Sequence, residues 1–242
     1  MYEKLECIAL RTVRYTDRNN ILTAYSRQKG RVTFTVPAGN GRSALRMRAL
    51  TMPLGRFECE AISRTGSEMM RMTDLMAVSD AGTAAPGPLS GTLSLFLAEV
   101  LASLLREQQP DVHLYDFIAL TAEMIARSPA PRAANLHIAF LLRLQHFMGI
   151  EPDWATYRPG AVFDMADGIF RSSAPLHGRW IPSAEAEAAY RLRRMTLRNS
   201  HLWQLSRRER NLILDRLIQY YQIHFKRLGT VASLEVLRTV FS

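Results

Sequence analysis

The first third of the chain alternates. Short runs place apolar residues at every second position, with turn residues between them. The runs are Leu5–Tyr15, Ile21–Ser26, Arg31–Val36, Gly55–Ser63 and Met70–Val78. A period of two is that of a half-buried strand. In the third run Arg31, Thr33 and Thr35 fall on one face and Val32, Phe34 and Val36 on the other, so Phe34 is expected to point inward. Thr16–Asn20 reads as a turn, Arg27–Gly30 as a connector, and Pro37 as the end of the third strand. Five short strands over residues 1–78 predict a small closed or nearly closed antiparallel barrel. Ala38–Ala49, AGNGRSALRMRA, is expected to be a loop between its third and fourth strands.

The period then changes. Residues 79–90 are rich in Pro, Gly and Ala and read as a linker. Beyond them apolar residues recur at helical spacing, so residues 91–242 are expected to form a mostly helical domain. Helices are predicted over Thr92–Arg106, His113–Arg127 and Ala133–Met148. Val162–Arg171, within a small insertion near residues 160–172, reads as a hairpin around Ala-Asp-Gly. Ser183 is expected to cap a further helix. Ser206-Arg-Arg-Glu209 is a capping box for a long helix reaching Leu228 and ended by Gly229. Ser233–Phe241 completes the chain as a short helix.

Charge changes this picture. Net charge is +9, and nearly all of it is arginine, since Lys4, Lys29 and Lys226 are the only lysines. Residues 1–77 carry +6, residues 78–184 carry −3 and residues 185–242 carry +6. A preference for arginine codons explains Arg over Lys but not this segregation, which favours a polyanionic partner. Cys7 and Cys59, both on predicted strands, read as buried thiols. The opening MYEKLECIAL lacks the pattern of a secretory signal, and no run of about 18 apolar residues is present. A cytoplasmic protein without a membrane partner is expected.

Candidate chemistry is binding chemistry. Arg14, Arg27, Lys29 and Arg31 surround the second and third strands, and Arg42, Arg46 and Arg48 occupy the segment after them. Cations beside Tyr15 and Tyr25 on a small sheet suit single-stranded nucleic acid, held by phosphate pairing and base stacking. A second basic patch is expected from Arg191, Arg194 and Arg198 on one helical face, with Arg207 and Arg208 opening the next helix. Cations at a helix start oppose its dipole, which points to phosphate or an acidic peptide. No catalytic constellation stands out. An enzyme would need His137, His146 and the Asp164 hairpin to converge on one cleft. A barrel of this kind also serves RNA-binding proteins, and nothing in the sequence reads a 2′-hydroxyl.

The order Leu10-Arg-Thr-Val-Arg-Tyr-Thr-Asp17, Asn20-Ile-Leu-Thr23 and Gly30-Arg-Val-Thr-Phe34 resembles the opening of the RecO family of bacterial recombination mediators. The resemblance continues at Phe96–Val100, Leu114–Phe117, Asn135–Gly149 and Tyr220–Leu237, so it spans nearly the whole chain in order. It implies an α+β multidomain protein, with an N-terminal five-stranded OB-fold barrel before a mostly helical domain. It implies no cofactor and no catalysis. Such proteins bind single- and double-stranded DNA and anneal complementary strands. They act with RecR to place RecA on DNA coated by single-strand-binding protein, and they work in the cytoplasm at the nucleoid.

Many members also bind the acidic tail of the coating protein through the helical domain. Phe140, Leu144 and Phe147, with Arg143 as the lone charge among them, are the expected receptor. Arg143 either sits at a groove edge or pairs with an internal carboxylate such as Glu99. Many members carry a four-cysteine zinc knuckle after the third helix. Here Trp154–Trp180 holds no cysteine, so no metal is expected.

Overall fold

The computed structural model describes residues 2–63, 69–78, 87–106 and 109–240. They form two compact units, one of the described residues up to Ala130 with Val231–Val240, the other Pro131–Thr230. The N-terminal unit contains strands β1 (Tyr2–Arg14), β2 (Asn19–Ser26), β3 (Gly30–Pro37), β4 (Arg56–Ile62) and β5 (Met69–Ala77). They close into a barrel in the order β1-β2-β3-β5-β4, with β3 and β5 parallel and β1 paired to β4. This is the expected OB-fold barrel.

The interior follows strand parity. Leu5, Cys7 and Ala9 of β1 meet Leu22 and Ala24 of β2, Val32, Phe34 and Val36 of β3, and Phe57, Cys59 and Ala61 of β4. Phe34 points inward as expected and meets Phe57 edge-on at 6.4 Å. Both cysteines are buried free thiols. The registers set Leu22 opposite Phe34 and Cys7 opposite Phe57.

Ala38–Ala49 is not simply a loop. After a turn at residues 38–41 the chain forms helix α1 (Arg42–Leu50) between β3 and β4. The buried Ala44 and the half-buried Met47 anchor it, and Met47 packs on the barrel core. The turn residues Ala-Gly-Asn-Gly masked a short helical pattern in the residues after them.

Two helices complete the N-terminal unit's continuous part, α2 (Pro88–Leu104) and α3 (Val112–Arg127). α2 starts earlier than expected because Gly87 takes the N-cap and Pro88 the first helical position, where its missing N–H costs nothing. The remainder of the expected linker, residues 79–86, lies outside the described residues. Asp111 caps α3 by accepting from the Leu114 N–H at 3.0 Å.

The second unit holds α4 (Ala130–Ala133), α5 (Leu136–Phe147), a three-stranded sheet and two more helices. The single expected helix Ala133–Met148 is divided at Asn135, whose amide donates to the carbonyls of Ser200 and Trp203. The expected hairpin forms as β6 (Val162–Asp164) and β7 (Ile169–Arg171), with Gly168 at φ +70 in its turn. A third strand, β8 (Trp180–Ile181), pairs with β6. Helix α6 (Ser183–Leu192) follows, but Pro182 holds the N-cap position and Ser183 makes no cap bond. α7 (Arg207–His224) carries the expected capping box, and it ends at Phe225, before Gly229.

The chain then returns to the N-terminal unit as α8 (Ser233–Val240), which packs on α2. The position expected next, Phe241, lies outside the described residues. The sequence period changes near residue 79, whereas the compact unit around the barrel runs on to Ala130 and takes α8 back from the C-terminus.

Candidate nucleic-acid interface

The outer face of β1–β3 is a seat for helices. Ile8, Tyr25 and Arg31 lie in one cross-strand row. Tyr25 is buried, and its hydroxyl accepts from the Asp111 N–H at 3.1 Å. Tyr25 is therefore unavailable for base stacking. Arg31 donates to the Ala102 and Leu105 carbonyls at 2.9 and 2.8 Å, closing the C-terminal end of α2. Arg27 holds Asp116 of α3 with a two-pronged bond and lies over the Tyr115 ring. Lys29 pairs with Glu3 at 2.7 Å. Sequence periodicity could place these cations on one face but could not reveal the helices that cover it.

One end of the barrel stays open. The β1–β2 tip is exposed from Arg11 to Arg18. Its backbone is fixed: the Tyr15 and Thr16 N–H groups donate to the Asn19 carbonyl, and the Asn19 N–H donates to the Thr16 hydroxyl at 3.0 Å. The Ala38 N–H donates to the Arg18 carbonyl at 2.9 Å. That bond ties the tip to the turn that starts α1. Arg48 folds back onto the same turn, donating to the Gly39 carbonyl and the Asn40 side chain.

Arg42 and Arg46 lie exposed on α1 at a spacing of four, beside the exposed Leu45. The first turn of α1 holds no acidic residue. The structure thus groups Arg14, Arg42, Arg46 and Arg48 at this end. It adds Arg11 and Arg18, which the sequence reading missed. Their signal was the exposed, turn-rich tip itself.

The second unit presents different chemistry. A groove of about 580 Å³ is lined by Leu192 and Arg191 of α6, Leu202 and Trp203 of the following turn, and Leu212 and Ile213 of α7. Leu202 and Leu212 are exposed there. The expected single helical face of Arg191, Arg194 and Arg198 does not form. α6 stops at Leu192, and the chain turns through Arg194 to Asn199, held by mutual Thr196–Asn199 bonds. Arg207 and Arg208 open α7 exposed. The capping box offsets their dipole cost, and bonds from Ser206 hold the Glu209 carboxyl below its usual range.

On α5, Phe140 and Leu144 are buried, while Arg143 is exposed over the half-buried Phe147 ring. Arg143 does not pair with Glu99. That carboxylate instead accepts from the Ala232 and Ser233 N–H groups and the Ser233 hydroxyl.

Where the zinc knuckle would lie, a buried carboxylate organises the hairpin. Asp164, with 1% side-chain exposure, accepts from Arg171 Nε at 2.8 Å and from the Ala166 and Asp167 N–H groups, with His177 at 3.3 Å. Burial pushes its carboxyl up, but these donors together outweigh burial and hold it below the usual range. Among the described residues, no group of three or more His, Cys, Asp or Glu side chains could hold a metal ion.

His137 is buried, and burial together with Arg210 pushes its pKa down to about 3. His146 is exposed and bonds Glu151. His146 thus holds Glu151, whereas Asp164 holds Arg171 and His177. Among the described residues, no helix is long and apolar enough to cross a membrane.

Family models agree with this architecture. One described as "Recombination protein O N terminal" matches residues 1–79, and one described as "Recombination protein O C terminal" matches residues 90–231. The chain belongs to the RecO family of DNA repair and recombination proteins. A "DNA repair protein RecO" of Phocaeicola vulgatus is 32% identical over 242 residues, covering 100% of both chains. One of Porphyromonas gingivalis is 34% identical over 240 residues, covering 97% of each. One of Flavobacterium psychrophilum is 24% identical, covering 100% of each.

Proposed function

We propose that this chain is a non-catalytic mediator of recombinational repair. It binds single- and double-stranded DNA, anneals complementary strands, and works with RecR to place RecA on DNA coated by single-strand-binding protein. It does so in the cytoplasm, at the nucleoid. The observation that carries this reading is the open barrel end, where the β1–β2 tip and α1 gather arginines beside exposed apolar side chains. Phosphate pairing there needs no rearrangement of the fold.

The double variant Arg42→Ala/Arg46→Ala is expected to bind single-stranded DNA about tenfold more weakly at low salt. The slope of log affinity against log salt should fall by about 0.7 for each lost phosphate contact. Anisotropy titrations at several salt concentrations read both quantities. An unchanged slope in the folded variant would remove α1 from the interface.

The acidic tail of single-strand-binding protein ends in an apolar residue and a carboxylate. The α6–α7 groove suits it better than α5, because Leu202, Leu212 and Trp203 line it beside Arg191, with Arg207 and Arg208 at the adjoining start of α7. On α5 the expected apolar partners Phe140 and Leu144 are already buried. Leu202→Asp is expected to abolish binding of a labelled tail peptide, with Arg143→Ala close to wild type. The reverse pattern would return the receptor to α5.

A further inference from the structure

Tyr15 is one of the large side chains that the barrel leaves exposed. Its ring is 59% exposed at the tip of the β1–β2 hairpin. It buries no core surface, yet the backbone beneath it is fixed by the bonds from Tyr15, Thr16 and Arg18 N–H groups across the turn. Arg14, its neighbour, pairs with Asp17 at 2.5 Å. Arg11 and Arg18 have no acidic partner among the described residues. By strand parity Arg11 and Val13 share one face of β1, and Tyr15 and Arg18 lie in the exposed turn that follows it.

We propose that Tyr15 is a base-stacking platform for single-stranded nucleic acid, with Arg11 and Arg18 pairing the phosphates on either side of the stacked base. This rests on the nucleic-acid reading above and adds to it the residue that touches bases. Three features support the assignment. A ring on a pre-ordered turn loses little conformational freedom when it stacks. Aromatic stacking tolerates any base, as a protein that pairs arbitrary strands requires. Arg11 and Arg18 have no acidic partner among the described residues, whereas Arg14 shares its charge with Asp17 in an exposed pair. A protein partner docking on Tyr15 would use the same exposure, but the flanking unpaired cations favour a polyanion.

The test uses the full chain with two probes, an oligo(dT) and an oligomer of the same length whose central nucleotides are abasic. Tyr15→Ala is expected to weaken oligo(dT) binding roughly tenfold, with an unchanged salt slope. It should bind the abasic oligomer as wild type does. Tyr15→Trp should restore or exceed wild-type affinity for oligo(dT). Arg11→Ala and Arg18→Ala should weaken both probes and each lower the salt slope by about 0.7.

Tyr15 is exposed, so these variants are expected to fold, and an unchanged melting curve checks it. Wild-type affinity of Tyr15→Ala for oligo(dT), or equal losses on both probes, would overturn the stacking role while leaving nucleic-acid binding intact. Failure of the wild-type protein to bind either probe would overturn the nucleic-acid reading itself. Loss of a protein partner with oligo(dT) affinity unchanged would reassign Tyr15 to that partner.

Discussion

Asp164→Asn is expected to lower the melting temperature of the second unit by about 10 °C near neutral pH. The substitution keeps the shape and the acceptor for the Ala166 and Asp167 N–H groups. It replaces the other oxygen with an amide that faces the Arg171 Nε–H. Two donors then meet at a site with 1% exposure. Losing a charge-assisted bond and stranding a donor costs about 2 kcal/mol, Arg171 being partly able to turn to water. For a domain of this size each kcal/mol moves the midpoint by about 4–8 °C.

Trp154, Trp180 and Trp203 are the only tryptophans and all lie in this unit, so intrinsic tryptophan fluorescence follows its unfolding alone. The sign with pH is fixed. The folded carboxyl is held below its ordinary range, so its contribution is complete above the unfolded value of about 4. It is lost as pH falls through the folded value. The wild-type advantage over Asp164→Asn should therefore shrink on acidification below pH about 4. A chelator should leave the transition where it is, since the hairpin is held by Asp164 and its donors. A chelator-induced loss of stability, or a neutral effect of Asp164→Asn at pH 7, would refute this account.

Glu99→Ala is expected to have an effect of similar size in the other unit. Its carboxylate sits at the N-terminal end of α8, where a negative charge meets the helix dipole. It accepts from the Ala232 N–H and the Ser233 N–H at 2.9 Å each, and from the Ser233 hydroxyl. Removing these bonds should cost about 2–4 kcal/mol. Glu99→Gln should fall between, since it retains an acceptor without the charge. Hydrogen exchange of the α8 amides reads the outcome directly, and they should lose protection while the tryptophan transition is unmoved. Persistent protection in Glu99→Ala would mean that apolar packing of Leu237 and Val231 alone holds the helix.

Local physics was legible in the sequence, and long-range pairing was not. The parity of Val32, Phe34 and Val36 fixed the inner face of the barrel, because burial and a period of two leave no other register. The Ser206–Glu209 capping box was readable because both partners lie within one helical turn. Arg27 and Arg31 looked like ligand contacts because their own partners, Asp116 and the α2 carbonyls, lie far along the chain. The same holds for Glu99, whose bonds reach α8. α1 was hidden by the turn residues that precede it. At the candidate interface the sequence supplied Arg14, Arg42, Arg46 and Arg48. Arg11 and Arg18 needed the exposed tip and its tie to Ala38.

The N-terminal unit is discontinuous: all of Pro131–Thr230 is made before Val231–Val240, the piece that completes it. On the ribosome, at roughly 5–20 residues per second, that interval lasts on the order of ten seconds. For that time the surface of α2 that α8 will cover is bare, and the intervening unit has the opportunity to fold first. A chain truncated by premature termination never covers it. Such a product is expected to open more readily around α2 than the finished chain, and so to be cut faster by a protease.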